Sequence, residues 1–258
     1  LGSIDCPGGF RYKAPFPRPT PPPNRPARAT APGAPLKGAA LGFPQGPEDL
    51  LVDAQGEEIG AAEFMPVAFR NRLLRAIDRW IIGASLGFCA STPLECVFIK
   101  LSSESLLDKT FLEWLAKAVE SSGVNPARLC FQVSEDDATQ YLTQTQELAQ
   151  KLNARGHRFA LEHFGIGRDS SRVLLNTPMQ YLKLDGSLME NLATDEMLQK
   201  KVRVFITAAG KRAIPTIGER VENANTMAVL FQLGAAYVQG HYLHEPDVVL
   251  AGAATAQR

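Results

Sequence analysis

Residues 158–167 read RFALEHFGIG. A short apolar run, Phe159 to Leu161, stops on an acid and an imidazole, Glu162 and His163, and a Phe-Gly-Ile-Gly turn follows. Such a run, bounded by glycine, reads as a buried strand. Ionisable groups at a strand end before a flexible turn sit where α/β folds build their sites. The same texture recurs on both sides: CVFIKLS (96–102), RLCFQVSE (128–135), QYLKLD (180–185), AIPTIGE (213–219) and YVQGHYL (237–243) all read as strands. Helical spacing of apolar residues marks 62–85, 103–123, 137–156, 171–176, 194–212 and 223–234, with Gly123 as a helix terminator.

Six strands from residue 96 onward, nearly all separated by helices, imply parallel βαβ units. A (β/α)8 barrel or a doubly wound sheet would accommodate them. No G-x-G-x-x-G follows an early strand, which disfavours a dinucleotide fold. Nearly every strand ends on polar residues: Lys100 and Ser102, Gln132 and Glu135, Glu162 and His163, Lys183 and Asp185, Glu219, and Gln239. In a barrel those ends converge on one face, so the expected class is α/β with a TIM-type barrel.

Of 258 residues, 27 are basic and 27 acidic, so no net field draws the chain to nucleic acid or to a membrane. Charge interrupts every apolar stretch before about 18 residues, which excludes a membrane-spanning helix. No signal-peptide pattern opens the chain, and its start at Leu1 suggests a fragment. Residues 1–47 hold 12 of the 18 prolines and show no period, so a Pro-rich linker, extended or disordered, is expected there. An SH3-type ligand and a reading-frame artefact remain open alternatives. The folded domain is expected over 48–258. Cys6, Cys89, Cys96 and Cys130 share no metal-ligand spacing and read as reduced structural thiols of a cytoplasmic protein. His241 and His244 read as loop or packing residues.

RFALEHFGIG, YLKLDGSLM, PTIGERVEN and VQGHYLHEP resemble the ALDDFGTG, LKID, AEGVE and QGY stretches of the EAL domain, the family that hydrolyses cyclic di-GMP. EFMPVAFRNRLLRAIDRW, FIKLS and FQVSED resemble its upstream helix ending in IDRW and its VNLS and EITES strands. The resemblance implies a modified TIM barrel, here N-terminally incomplete: a Pro-rich segment occupies the place of the first strand. It also implies two divalent cations, Mg²⁺ or Mn²⁺, held by carboxylates and one Asn in active members, with a bound water attacking the phosphodiester.

Carried over by position, the VNLS asparagine falls on Lys100, the first EITE glutamate on Gln132, and the aspartate pair on Glu162 and His163. Lys183, Glu219 and Gln239 are retained. The signature tripeptide is matched only by Glu48-Asp49-Leu50, with Val52 where the family has a phosphate-binding Arg. Glu162 and Glu219 then oppose Lys100 and Lys183, a net charge of zero, or −1 with Glu48. The resemblance therefore implies a degenerate domain of the FimX type: no catalytic residues, no metal, and Lys100 in place of the metal's charge. It leaves a cyclic di-GMP site at Asp78, Lys183, Glu219, Gln239, Gly240 and Pro246, and a signalling partner protein as the recipient. A weak metal-dependent phosphodiesterase and a scaffold without nucleotide are the alternatives.

Simpler roles stand beside these. Asp78 could form a solvated pair with Arg75 and Arg79. Glu135 matches a loop-fixing glutamate of the family but also suits a helix N-terminus. Gln239, Gly240 and Pro246 could simply turn the chain. Glu162 and His163 could form an acid–base pair, but strand alternation sends neighbours to opposite faces, which argues against joint action.

Overall fold

The structure, a computed structural model, describes residues 66–91, 95–240 and 242 in full, together with the backbone of 11–13, 38–41, 50–52 and 58–65. These residues fall into two units. The first carries β1 (Arg11–Lys13), β2 (Gly38–Leu41), β3 (Leu50–Val52), β4 (Glu58–Gly60), α1 (Ala61–Arg70), α2 (Leu74–Ser91), β5 (Cys96–Lys100), α3 (Ser103–Leu106) and α4 (Phe111–Ser122). The second carries β6 (Leu129–Ser134), α5 (Glu135–Gln140), α6 (Leu142–Ala154), β7 (Arg158–Phe164), α7 (Ser170–Asn176), β8 (Tyr181–Leu184), α8 (Glu196–Gly210), β9 (Thr216–Gly218), α9 (Ala224–Leu233) and β10 (Tyr237–Val238).

In the second unit β6 to β10 pair in sequence order, every pair parallel. Parallel strands joined by crossover helices are buried on both faces, so they need nearly unbroken apolar sequence. Leu129, Cys130, Phe131 and Val133 on β6, and Phe159, Ala160 and Leu161 on β7, are fully buried. Leu148, Ala149 and Leu152 of α6 and Val202, Ile206 and Ala209 of α8 are buried at helical spacing. Phe164 meets Phe205 of α8 edge-on, with ring centroids 5.2 Å apart. Side-chain caps fix where the helices begin: Asp195 accepts from Met197 N and Leu198 N, and Asn223 from Thr226 N. Gly234 ends α9 in the left-handed conformation, as Gly123 ends α4.

In the first unit β2 runs parallel to β5, and β1, β3 and β4 form an antiparallel sheet in the order β1-β3-β4. A strand at Gly38–Leu41 was not expected within the Pro-rich segment; its four residues, GAAL, lie in a stretch free of proline. The rest of the Pro-rich assignment lies outside the described residues, apart from β1.

The single helix expected over 62–85 is two. Arg72 adopts φ 54, and Leu73 N donates to Ala68 O, the 6→1 bond of a Schellman cap with Arg in the place usual for Gly. The helix expected over 137–156 likewise breaks at Tyr141, which leaves helical geometry between α5 and α6. Cys89, Cys96 and Cys130 are buried and unbridged; Cys6, His241 and His244 lie outside the described residues. Among the described residues no helix is long and apolar enough to cross a membrane.

Candidate functional site

The turn after β7 organises the site. Ser134 caps α5, and Glu135 is the first residue of that helix. One oxygen of the buried Glu135 carboxylate accepts hydrogen bonds from the backbone N–H groups of Gly165, Ile166 and Gly167, at 3.0, 3.2 and 2.8 Å. A Cβ on Gly167 would stand 2.9 Å from the carboxylate carbon, and Gly165 has φ 101. Glutamate and glycines are thus matched parts of one clamp. Glu135 fixes the loop and begins the helix, so the two roles weighed for it coincide.

The clamp sets the end of β7. The register against β8 shifts between Leu161 and Phe164, and His163 adopts φ 53. This irregularity overturns the expectation that Glu162 and His163 point to opposite faces. A residue at positive φ leaves the strand's alternation, and His163 Nε2 comes within 3.7 Å of Glu162 Oε1. The imidazole Nδ1 lies 3.1 Å from Asp185 Oδ2 and 3.5 Å from Glu219 Oε2.

Glu219 follows β9, and its other oxygen is 3.6 Å from the ammonium of Lys183 on β8, a side chain only 2% exposed. Lys183 Nζ also donates to Gln239 Oε1 at 3.1 Å. Gln132 Nε2 on β6 donates to Glu162 Oε2 at 2.5 Å. Burial pushes the Glu219 carboxyl above its ordinary range; the Lys183 ammonium pulls against this and Glu162 adds to it. Burial also opposes ionisation of Asp185, but hydrogen bonds from Ser187 and the charge of His163 hold its carboxyl below the usual range.

The second unit therefore gathers Gln132, Glu162, His163, Lys183, Glu219 and Gln239 at the strand ends, as the sequence suggested. Gly240 adjoins them; a Cβ there would stand 2.3 Å from Val221 N, which accounts for glycine by packing alone. Lys100 and Asp78 belong to the first unit. Lys100 is half-buried at the end of β5. Asp78 is wholly buried, which corrects the surface-pair reading: its Oδ2 accepts from Ser102 N at 3.0 Å and Ser102 Oγ at 2.6 Å. Arg75 and Arg79 pair instead with Asp108. Burial raises the Asp78 carboxyl to about 7 against the pull of Ser102. Pro246 lies outside the described residues.

Asp185, named among the polar strand ends, was not carried into the expected site. Its Oδ1 accepts from Ser187 N and Ser187 Oγ while Oδ2 faces His163, so the D-G-S sequence of an Asx-type turn was the available signal. His163, Asp185 and Glu219 offer one donor atom each, all within 4.8 Å of one another. One nitrogen and two carboxylates suit a single divalent ion of the Mn²⁺ or Zn²⁺ kind better than a hard, all-oxygen site.

Comparison with known proteins identifies one family over most of the chain. The model of the EAL domain matches residues 50–246. "Cyclic di-GMP phosphodiesterase PdeB" of Shewanella oneidensis is 30% identical over 196 residues, 74% of this chain and 23% of that protein. "Cyclic di-GMP phosphodiesterase PdeF" of Escherichia coli is 27% identical over 209 residues, 78% of this chain and 28% of that protein. The chain thus spans about a quarter of the length of these relatives. Among solved structures, the FimX EAL domain of Pseudomonas aeruginosa bound to c-di-GMP superposes with a TM-score of 0.72 at 35% identity, covering 77% of this chain and 81% of that one. The fold is accordingly the α/β, TIM-barrel-like fold of EAL domains.

Proposed function

The chain belongs to the EAL domain family, and from that membership we propose that it is a catalytically silent, cyclic di-GMP-responsive signalling or protein-interaction module. The hydrogen bond from Gln132 to Glu162 carries the reading. Reversing the amide would set Oε1 against a carboxylate oxygen, so the nitrogen must face Glu162. The amide thereby sets a neutral donor against Glu162 Oε2, at a position where the family places a second carboxylate that would ligate a cation. The buried Lys183 ammonium beside Glu219, and an imidazole among three carboxylates, put protein nitrogen where a pair of hard cations needs oxygen. Lys100 at the end of β5 is a further ammonium at a position where the family has a ligand.

The nucleotide comes to this chain from its relatives: the PdeB and PdeF phosphodiesterases and the FimX domain bound to c-di-GMP. Lys183, Glu219, Gln239, Gly240 and Pro246 are the residues proposed for it, whereas Asp78, wholly buried against Ser102, is not placed to touch a ligand; a partner protein is the proposed recipient of the signal.

One observation favours a second reading. The His163–Asp185–Glu219 group would accommodate one divalent ion, and a slow phosphodiesterase would use it to activate water. Incubation of the full chain with cyclic di-GMP in Mg²⁺ or Mn²⁺ separates the two. The silent module yields no linear dinucleotide above the rate of a Glu219→Ala control. Turnover that disappears in that control establishes the enzyme instead.

A further inference from the structure

We propose that Arg220 is the phosphate-gripping residue of this domain, its guanidinium engaging a phosphodiester of the bound dinucleotide; this rests on the cyclic di-GMP reading above. Arg220 follows Glu219 directly and falls on the glycine of the family's AEGVE stretch. The structure shows why glycine suits that position: the backbone has φ 54, in the left-handed region that an L side chain enters only with strain. Strain of this kind persists where the surroundings or a function require it.

The surroundings are shaped to receive this arginine. A Cβ on Gly186 would stand 2.3 Å from Arg220 Cδ and 2.7 Å from its Cγ, so the stem lies flat on the one residue after Asp185 that leaves room for it. That seat anchors the arginine beside Glu219 and Asp185, both members of the cluster. The residue is exposed, and among the described residues no hydrogen bond, ion pair or ring contact engages its guanidinium. A stem that is held and a head that is uncommitted are the attributes of a binding side chain.

Charge supplies the need. A phosphodiester approaching these strand ends meets Glu162, Asp185 and Glu219, while the Lys183 ammonium is already shared between Glu219 and Gln239. Without a cation from solution, the ligand's negative charge requires another positive group. Guanidinium is the side chain that pairs two donors with a phosphate. The phosphate-binding Arg of the family is Val52 here, so one arginine is missing from that position and another stands where glycine belongs.

Calorimetric titration of the full chain with cyclic di-GMP in EDTA tests this, using Arg220→Gly, Arg220→Asn and Arg220→Lys. Glycine and asparagine tolerate the left-handed backbone, so both variants should melt at or above the wild-type temperature. Both should bind about 10- to 100-fold more weakly, the loss expected for charge-assisted hydrogen bonds, and with a shallower salt dependence. Lysine, which keeps the charge without the fork, should fall between. Wild-type binding matched within about threefold by folded Arg220→Gly or Arg220→Asn overturns the assignment and leaves the cyclic di-GMP reading standing. A wild type that does not bind overturns both.

Discussion

Lys183→Met removes the ammonium beside Glu219 while keeping the apolar stem. The two groups are 3.6 Å apart, with side chains 2% and 10% exposed. At an effective dielectric constant of about 20, that separation corresponds to about 5 kcal/mol of attraction. Breaking a buried pair by deleting one partner costs about 3–5 kcal/mol, because the other charge stays buried without compensation. Gln239 Oε1 loses its donor as well. We therefore expect Lys183→Met to lose about 3–5 kcal/mol at pH 8, a large share of a typical domain's stability.

The loss should depend on pH with a definite sign. The Glu219 carboxyl is already raised in the folded protein, and losing Lys183 raises it further. A raised carboxyl contributes stability that is complete below its unfolded value of 4.5 and is lost as the pH rises through the folded value. The variant's deficit should therefore shrink steadily from pH 8 to pH 5. Urea melts at each pH, with the m-value as a check on the unfolded state, measure it. A deficit below about 1 kcal/mol at pH 8, or one flat with pH, would refute the buried-pair account.

Three other outcomes follow from the same geometry. Glu135→Ala removes the acceptor of three backbone N–H groups; it should cost about 2–4 kcal/mol and expose the amides of Gly165, Ile166 and Gly167 to faster hydrogen exchange. Unchanged protection at those amides would contradict the clamp. Asp78 is raised from 3.8 to about 7, so its contribution is complete below pH 3.8 and is lost as the pH rises through about 7. Asp78→Asn should flatten that decline, worth about 4 kcal/mol in total, and a decline of wild-type slope would show that another group causes it. Lys100→Asn with His163→Asp restores oxygen ligands at two family positions and should bind Mn²⁺ more tightly than the wild type in metal-dependent melting; equal affinities would remove Lys100 as a substitute for the metal's charge.

The strands and the alternating order were readable because parallel strands must be apolar along their length, as in LCFQV and RFALE. Helix ends at Gly123 and Gly234 were readable because a left-handed C′ residue favours glycine. The break at Arg72 was not, since an arginine occupies that conformation without the usual residue to announce it. His163 was misjudged for a related reason: alternation holds only in a regular strand, and the irregularity that defeats it leads into a turn held by Glu135, 28 positions earlier. The surface-pair alternative for Asp78 fails because its partner, Ser102, is 24 residues away, while its sequence neighbours Arg79 and Arg75 turn to Asp108. Local patterns disclose periodicity and caps; long-range polar pairing depends on how the elements dock.

The central claim is that the domain takes up cyclic di-GMP without metal and leaves it intact. Isothermal titration of the full chain with cyclic di-GMP, once in EDTA and once in Mn²⁺, followed by chromatography of the nucleotide recovered from the cell, measures it directly. The account predicts the same affinity in both buffers and unaltered dinucleotide in both. Binding that requires Mn²⁺, with linear dinucleotide recovered, would contradict it.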